Sequence, residues 1–373
     1  MTQNLPPLHG LKVVELARVL AGPWIGQALA DLGATVVKVE SPQGDDTRHW
    51  GPPFVERNGD TTAAYFYSAN RGKTSVVADF RTEQGKQTVC DLVADADILV
   101  ENFKVGGLAK YGLDYDSLAT LNPRLVYCSV TGFGQTGPYA HRAGYDFLIQ
   151  GMSGLMSITG EPGREPQKYG VAVTDIVSGL YGAVGILAAI EQRHTTGRGQ
   201  HIDISLLDCA TALLANMATN YFASGKAPGQ AGNAHQNLAP YQVFPTSDGH
   251  IIISVGNNGQ FERLCGALGI TDMAADTRFA TNPDRVRNRT ALSDILSDLI
   301  AQWTMQDLLD ALEAVTVPAG PIYTVDQVFE DPQVIARGLR IDPEGVPGVR
   351  GPWRFSESPL KLDKTAPTLP KPD

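Results

Sequence analysis

The 373-residue chain is expected to be an α/β protein: a Rossmann-like doubly wound large domain joined to a small α+β domain. Three observations predict this. Short β-branched runs alternate with helical periodicity through the first half, a glycine-rich aperiodic segment interrupts the chain at Gly225–His235, and a hairpin pattern followed by helical ones lies beyond it.

In order, Lys12–Leu16 reads as a strand, Ile25–Leu32 as a short helix and Ala34–Glu40 as a second strand. This βαβ unit implies a buried parallel sheet with a right-handed crossover. Ser75–Asp79 is a strand, Thr82–Ala94 a helix, and Ile98–Glu101 and Leu125–Val130 are two further strands. Ile176–Arg193 forms a long helix with Gly179, Gly182 and Gly185 at spacing three. Glycine weakens a helix, so the spacing points to close approach of another backbone or a ligand, or to tight helix packing. His201–Ser205, a strand, and Leu206–Tyr221, an apolar helix, complete a large domain over 1–224. Residues 225–324 hold the linker and small domain: a hairpin of Tyr241–Phe244 and Ile251–Val255 around Ser247-Asp248-Gly249, then helical patterns at Phe261–Leu268, Ala291–Trp303 and Met305–Val315. A proline- and glycine-rich segment, 325–373, returns to the large domain.

Composition limits the function. With 43% hydrophobic and 19% charged residues the chain is globular, and no apolar stretch is expected to reach membrane-spanning length. A net charge of −10 argues against wrapping nucleic acid. Met1–Gly10 lacks a basic segment followed by an apolar run, so a cytoplasmic location is expected. Cys90, Cys128, Cys209 and Cys265 lie far apart in apolar patterns, reading as buried free thiols without metal-ligand spacing; no metal is expected. The Ala17–Pro23 turn lacks the glycine spacing of a dinucleotide fingerprint, which disfavours an NAD site.

Asp175 stands between the extended run from Tyr169 and the long helix. An aspartate there would cap the helix start and be held ionised by its dipole. It either caps only or presents a carboxylate to a cleft at the strand ends.

Several segments together resemble the class III CoA-transferases, the CaiB/BaiF group that includes formyl-CoA transferase. They are Leu20-Ala21-Gly22-Pro23, Gly33–Glu40 with Gly44–Arg48, Asn70–Ser75, Val100-Glu101-Asn102-Phe103, Ser129–Gly134, Gly144-Tyr145-Asp146 and Thr196–Gln200. The resemblance covers nearly the whole chain. Ala239–Gln242 and Gly256–Phe261 are most similar to the branch that moves CoA between succinyl and glutaryl groups.

The resemblance places the family's catalytic aspartate at Asp175, an active-site tyrosine at Tyr145, and a loop closing over the intermediate at Gly225–His235, with Gly232 and His235. It implies CoA contacts at Leu20, Ala21, Arg48, Asn70, Arg71, Lys73, Asn102 and Lys110. Arg18, Arg142 and His235 are candidates for an acceptor's distal carboxylate. The implied substrates are an acyl-CoA, such as succinyl-CoA, and a small carboxylic acid, in particular a dicarboxylate. The implied assembly is an interlaced homodimer. A carboxylate can attack a thioester to give a mixed anhydride, which the released thiolate converts to an aspartyl-CoA thioester; an incoming acid reverses the steps. The anhydride demands a dry site.

Departures are visible. Leu20 occupies the place of a glutamine in formyl-CoA transferase and cannot donate a hydrogen bond, which disfavours oxalate chemistry; backbone N–H groups at Ala21 and Gly22 would serve developing charge. The loop lacks a run of consecutive glycines, and family members continue past the equivalent of Pro367–Pro370. The α-methylacyl-CoA racemases, with the same architecture, have histidine where this chain has Tyr145, and a tyrosine of pKa about 10 is a poor base at neutral pH. A CoA-binding protein without transfer chemistry is the other rival.

Overall fold

A computed structural model of the chain describes residues 4–370. They divide into two compact units. The first comprises residues up to Met156, Lys168–Gly225 and the chain from Pro332; the second comprises Ser157–Gln167 and Lys226–Asp331.

The first unit is built on strands β1 (Lys12–Glu15), β2 (Thr35–Glu40), β3 (Phe54–Arg57), β4 (Asp60–Ala63), β5 (Thr74–Val77), β6 (Ile98–Glu101), β7 (Val126–Thr131) and β8 (His201–Ser205). Six form a sheet in the order β5-β2-β1-β6-β7-β8, with every pairing parallel; β3 and β4 make a separate antiparallel hairpin. The β-branched runs that predict the strands follow from burial of this sheet on both faces. One face packs Ile25 and Leu29 of the helix Ala21–Asp31 against Ile186 and Ile190 of the helix Val173–Thr196. The other covers Val14 and Leu99 with Val89 and Val93 of the helix Glu83–Ala94. Each fully buried leucine or isoleucine contributes about 1.5–3 kcal/mol. Connections leave β1 toward β2 in one direction and toward β6 in the other. The switch between β1 and β6 opens a crevice beyond the carboxyl ends of the strands.

Three details correct the sequence reading. The first helix begins at Ala21, a full turn before Ile25. Leu206–Tyr221 is two helices, Leu206–Ala212 and Ala215–Ser224, broken where Ala215 takes φ 41°. The helix Val173–Thr196, 24 residues with an 18-residue stretch of mean hydropathy 1.8, is long and apolar enough to span a membrane, contrary to the expectation of no such stretch. Of that stretch 39% is buried, with Ala183, Ile186 and Ile190 in the core, while Leu180, Tyr181 and Val184 are exposed. A Cβ at Gly179 would stand 2.9 Å from the Ala21 carbonyl oxygen, and one at Gly182 2.5 Å from Ile25 Cδ1, so bare glycine lets this helix lie against Ala21–Asp31.

The second unit has a three-stranded antiparallel sheet of β9 (Tyr241–Thr246), β10 (Gly249–Ser254) and β11 (Ala319–Pro321), ordered β11-β10-β9. Phe244, Ile251 and Ile253 pack against Phe261, Leu292, Leu296, Leu308 and Leu312 of the helices Asn258–Ala267, Arg289–Ile300 and Met305–Ala314. Fully buried Arg285 lies over the Phe261 ring at 4.5 Å and donates to the carbonyls of Ala239 (2.6 Å) and Phe279 (3.0 Å). Ser157–Gln167, within the large domain expected over 1–224, belongs to this second unit. It clusters here because the Gly232 N–H donates to Gly160 O at 3.0 Å and Gln230 Nε2 to Thr159 O at 3.1 Å.

Candidate active site

At the switch point lies a cleft of about 520 Å³, walled by Arg18–Ala21 after β1, Asn102–Val105 after β6, Val130–Gly132 at the end of β7, Ala140, Arg142–Tyr145 and Asp175. All of it belongs to the first unit.

Asp175 is not the cap of its helix. The N-cap position is Ala172, and Asp175 sits within the first turn. The capping carboxylate is Asp146, which accepts the Thr174 N–H at 2.8 Å and the Thr174 hydroxyl at 2.6 Å, and takes Gln150 Nε2 at 2.7 Å on its other oxygen. Among the described residues no hydrogen bond reaches the Asp175 carboxylate. Burial, reinforced by the neighbouring Asp146 charge, pushes the Asp175 carboxyl up to about 7. The dipole was expected to hold it ionised; desolvation and like charge outweigh that attraction. A desolvated carboxylate of raised basicity is a stronger nucleophile than a solvated one.

The wall after β1 is held from both sides. The Asn102 side chain accepts the Arg18 N–H at 2.9 Å and donates to the Arg18 carbonyl at 2.6 Å, clamping the β1 and β6 loops together. Beneath the loop, Lys38 and Lys73 flank Glu15 at 3.0 and 2.7 Å, all three with fully buried side chains. Lys38 also reaches the Ala17 carbonyl at 2.8 Å, and Lys73 the Pro23 carbonyl at 2.8 Å and Asn70 Oδ1 at 2.9 Å. A buried carboxylate between two ammonium groups avoids the uncompensated charge that would otherwise exclude it from the core.

Of the residues singled out in the sequence, Leu20, Ala21, Asn102, Lys110, Tyr145, Asp175, Arg18 and Arg142 line this one cleft. Tyr145 is 68% exposed there. Lys110 lies 4.7 Å over Tyr111, and the Arg142 guanidinium 4.6 Å over Tyr139. Arg48, Asn70, Arg71 and Lys73, grouped by the sequence with the CoA contacts, do not line it. They are buried and engaged elsewhere: Arg48 with Glu40 at 2.7 Å, Arg71 with Asp31 at 2.6 Å, Asn70 Nδ2 with the Phe66 carbonyl at 2.8 Å, and Lys73 with Glu15. Basic character in a sequence does not show that the charge is already matched inside. Positive charge on the cleft wall comes from Arg18, Arg81, Lys104, Lys110 and Arg142. Gly232 and His235 belong to the second unit, where Gly232 takes φ 57° and His235 Nδ1 accepts the Asn237 N–H at 3.0 Å.

Sequence reasoning missed Asp146 as the group that caps the helix and presses on Asp175. Its only signal was membership of the Gly144-Tyr145-Asp146 segment. No group of three or more potential metal ligands occurs among the described residues.

This fold, with its cleft at the switch point, is that of a CoA-transferase: the chain belongs to CoA-transferase family III, whose family model matches residues 8–371. It is 55% identical to a succinate–glutarate CoA-transferase of Agrobacterium fabrum, over 99% of this chain and 94% of that protein. It is 41% identical to the succinyl-CoA:glutarate CoA-transferase of Homo sapiens, over 98% of this chain and 84% of the human one. A crystal structure of a CAIB/BAIF family protein from Brucella suis superposes with a TM-score of 0.90 at 61% identity, covering 99% of this chain and 97% of that one.

Proposed function

We propose that this CoA-transferase moves CoA from succinyl-CoA to a dicarboxylic acid, glutarate first among the candidates, with Asp175 as the covalent carrier. The observation that carries the reading is the Asp175 carboxylate itself: it lines the cleft, lacks hydrogen-bond partners among the described residues and is raised to about 7 by burial and Asp146. Its ionised form attacks the thioester carbonyl, the C–S bond breaks, and CoA leaves as thiolate. The thiolate then attacks the aspartyl carbonyl of the mixed anhydride, forming aspartyl-CoA and releasing succinate. The acceptor carboxylate repeats both steps in reverse. Each step exchanges one acyl bond for another, so the thioester's energy is conserved and no net proton is transferred.

Supporting groups are assigned on the same basis. Lys110 and Arg81 lie on the cleft wall to meet CoA phosphates. Arg142, stacked on Tyr139 and Phe133, is placed for the acceptor's distal carboxylate. Tyr145 stands beside the reacting carbonyl. Arg48, Asn70, Arg71 and Lys73 support the site from within the fold. The working form is a cytoplasmic homodimer.

A matrix of acyl-CoA donors against mono- and dicarboxylate acceptors, with new thioesters identified by mass spectrometry, tests the substrate class. The expected result is glutaryl-CoA from succinyl-CoA and glutarate, with monocarboxylates far slower. Faster transfer to monocarboxylates would remove the dicarboxylate assignment. Exchange of an α-proton without CoA transfer would point to a racemase.

A further inference from the structure

Beside the cleft, Val19 takes φ 70°. A β-branched residue is disfavoured in this left-handed region and persists there only when its surroundings impose it. The imposing contacts are all present. Arg18, immediately before, is clamped through its N–H and carbonyl by Asn102. The Val19 N–H donates to both carboxylate oxygens of Asp45, at 3.3 and 3.2 Å. Asp45 is 1% exposed and fixed in turn by Lys38 Nζ at 2.9 Å, the Thr47 N–H at 3.0 Å and the Thr47 hydroxyl at 2.8 Å.

Two residues after Val19 the helix Ala21–Asp31 starts, with Leu20 at the N-cap and no side-chain cap. A serine or aspartate at that position would occupy the first free N–H groups; leucine leaves them open. Ala21 lines the cleft with Asp175, and its carbonyl lies against Gly179, one turn along the helix that carries Asp175.

We propose that Asp45 is a positioning residue for the transfer reaction. By holding Val19 left-handed, it aims the uncapped start of the helix Ala21–Asp31 at the negative charge that develops on the acyl oxygen above Asp175. The inference deepens the transfer reading and rests on it. Asp45 does not line this cleft, so its effect runs through the loop.

The test is a double-mutant cycle of Asp45→Ala and Val19→Gly, with kcat and KM measured for succinyl-CoA and glutarate. Glycine adopts positive φ without being forced. Asp45→Ala alone is expected to lower kcat by about a hundredfold, the scale of a lost oxyanion donor, with KM for succinyl-CoA changed less than about threefold. In the Val19→Gly background the same substitution should lower kcat by less than about tenfold, because the conformation no longer needs imposing. An equal fold-loss in both backgrounds overturns the proposal, as does a rise in KM with kcat intact. If Asp45→Ala does not fold, as judged by circular-dichroism melting, Asp45→Leu, which fills the space without an acceptor, goes through the same cycle. A wild-type enzyme that exchanges CoA with no carboxylate defeats the transfer reading itself. An active wild type whose Asp45 loss is not relieved by Val19→Gly defeats only the positioning role.

Discussion

A carboxyl raised to about 7 is half protonated near neutral pH, and only its ionised form attacks a thioester. With Asp175 as nucleophile, kcat/KM rises with pH on a limb centred near 7. Asp146→Asn, which keeps the Thr174 cap while removing the adjacent charge, should move that limb toward the ordinary carboxylate range. A rate independent of pH down to 5, or an Asp146→Asn limb that does not move, contradicts this. The sign for stability follows from the same shift. Because the folded carboxyl lies above the ordinary 3.8, ionisation disfavours the fold, increasingly from about pH 4 to 7 and fully above. Asp175→Asn should therefore melt higher than wild type at pH 8, with the difference shrinking as pH falls below 7. No higher melting temperature at pH 8 would show that the site relaxes around the charge. That Asp175 and Tyr145 would line one cleft was legible through the family resemblance, while the local pattern at Asp175 suggested a helix cap, which it is not. Asp146 pressing on Asp175, or Lys38 and Lys73 flanking Glu15, is a meeting of residues far apart in the chain, which no local pattern records.

Among the elements, the helix Val173–Thr196 ties Asp175 to the chain after β1 through the close approach at Gly179. A methyl at Gly179 would meet a backbone carbonyl oxygen at 2.9 Å, whereas one at Gly182 meets the end of the Ile25 side chain rather than backbone. Gly179→Ala is expected to cost about 1–3 kcal/mol of stability and to lower kcat, while Gly182→Ala, though nominally tighter, costs less of both. Thermal melts and steady-state rates of the pair check this, and equal losses would mean that the spacing reflects packing alone. The glycine repeat and the β-branched strands were readable because periodicity and burial leave direct marks on composition. The start of the helix at Ala21 was not, since Gly22-Pro23 looks like a turn; proline is tolerated in a first turn, where its missing N–H has no partner to lose. The break at Ala215 involves neither glycine nor proline and leaves no mark at all.

At the scale of the whole molecule, the first unit exposes Phe147, Leu148, Leu180, Tyr181, Val184, Tyr221 and Phe222 in the single chain. So many large apolar side chains on one unit call for cover. A second copy is the expected cover, and sedimentation should give twice the mass of one chain at micromolar concentration; a monomer would contradict it. The doubly wound architecture was predictable from alternating strands and helices, while the excursion of Ser157–Gln167 to the second unit was not, because its bonds to Gln230 and Gly232 join segments about seventy residues apart, which no local pattern records. The central claim, that Asp175 carries the acyl group and then CoA, is tested most directly by trapping. Enzyme incubated with succinyl-CoA, quenched with hydroxylamine and digested should yield a peptide bearing a hydroxamate at Asp175, absent when succinyl-CoA is omitted. Full CoA transfer with Asp175 unmodified, or undiminished turnover by Asp175→Ala, would contradict it.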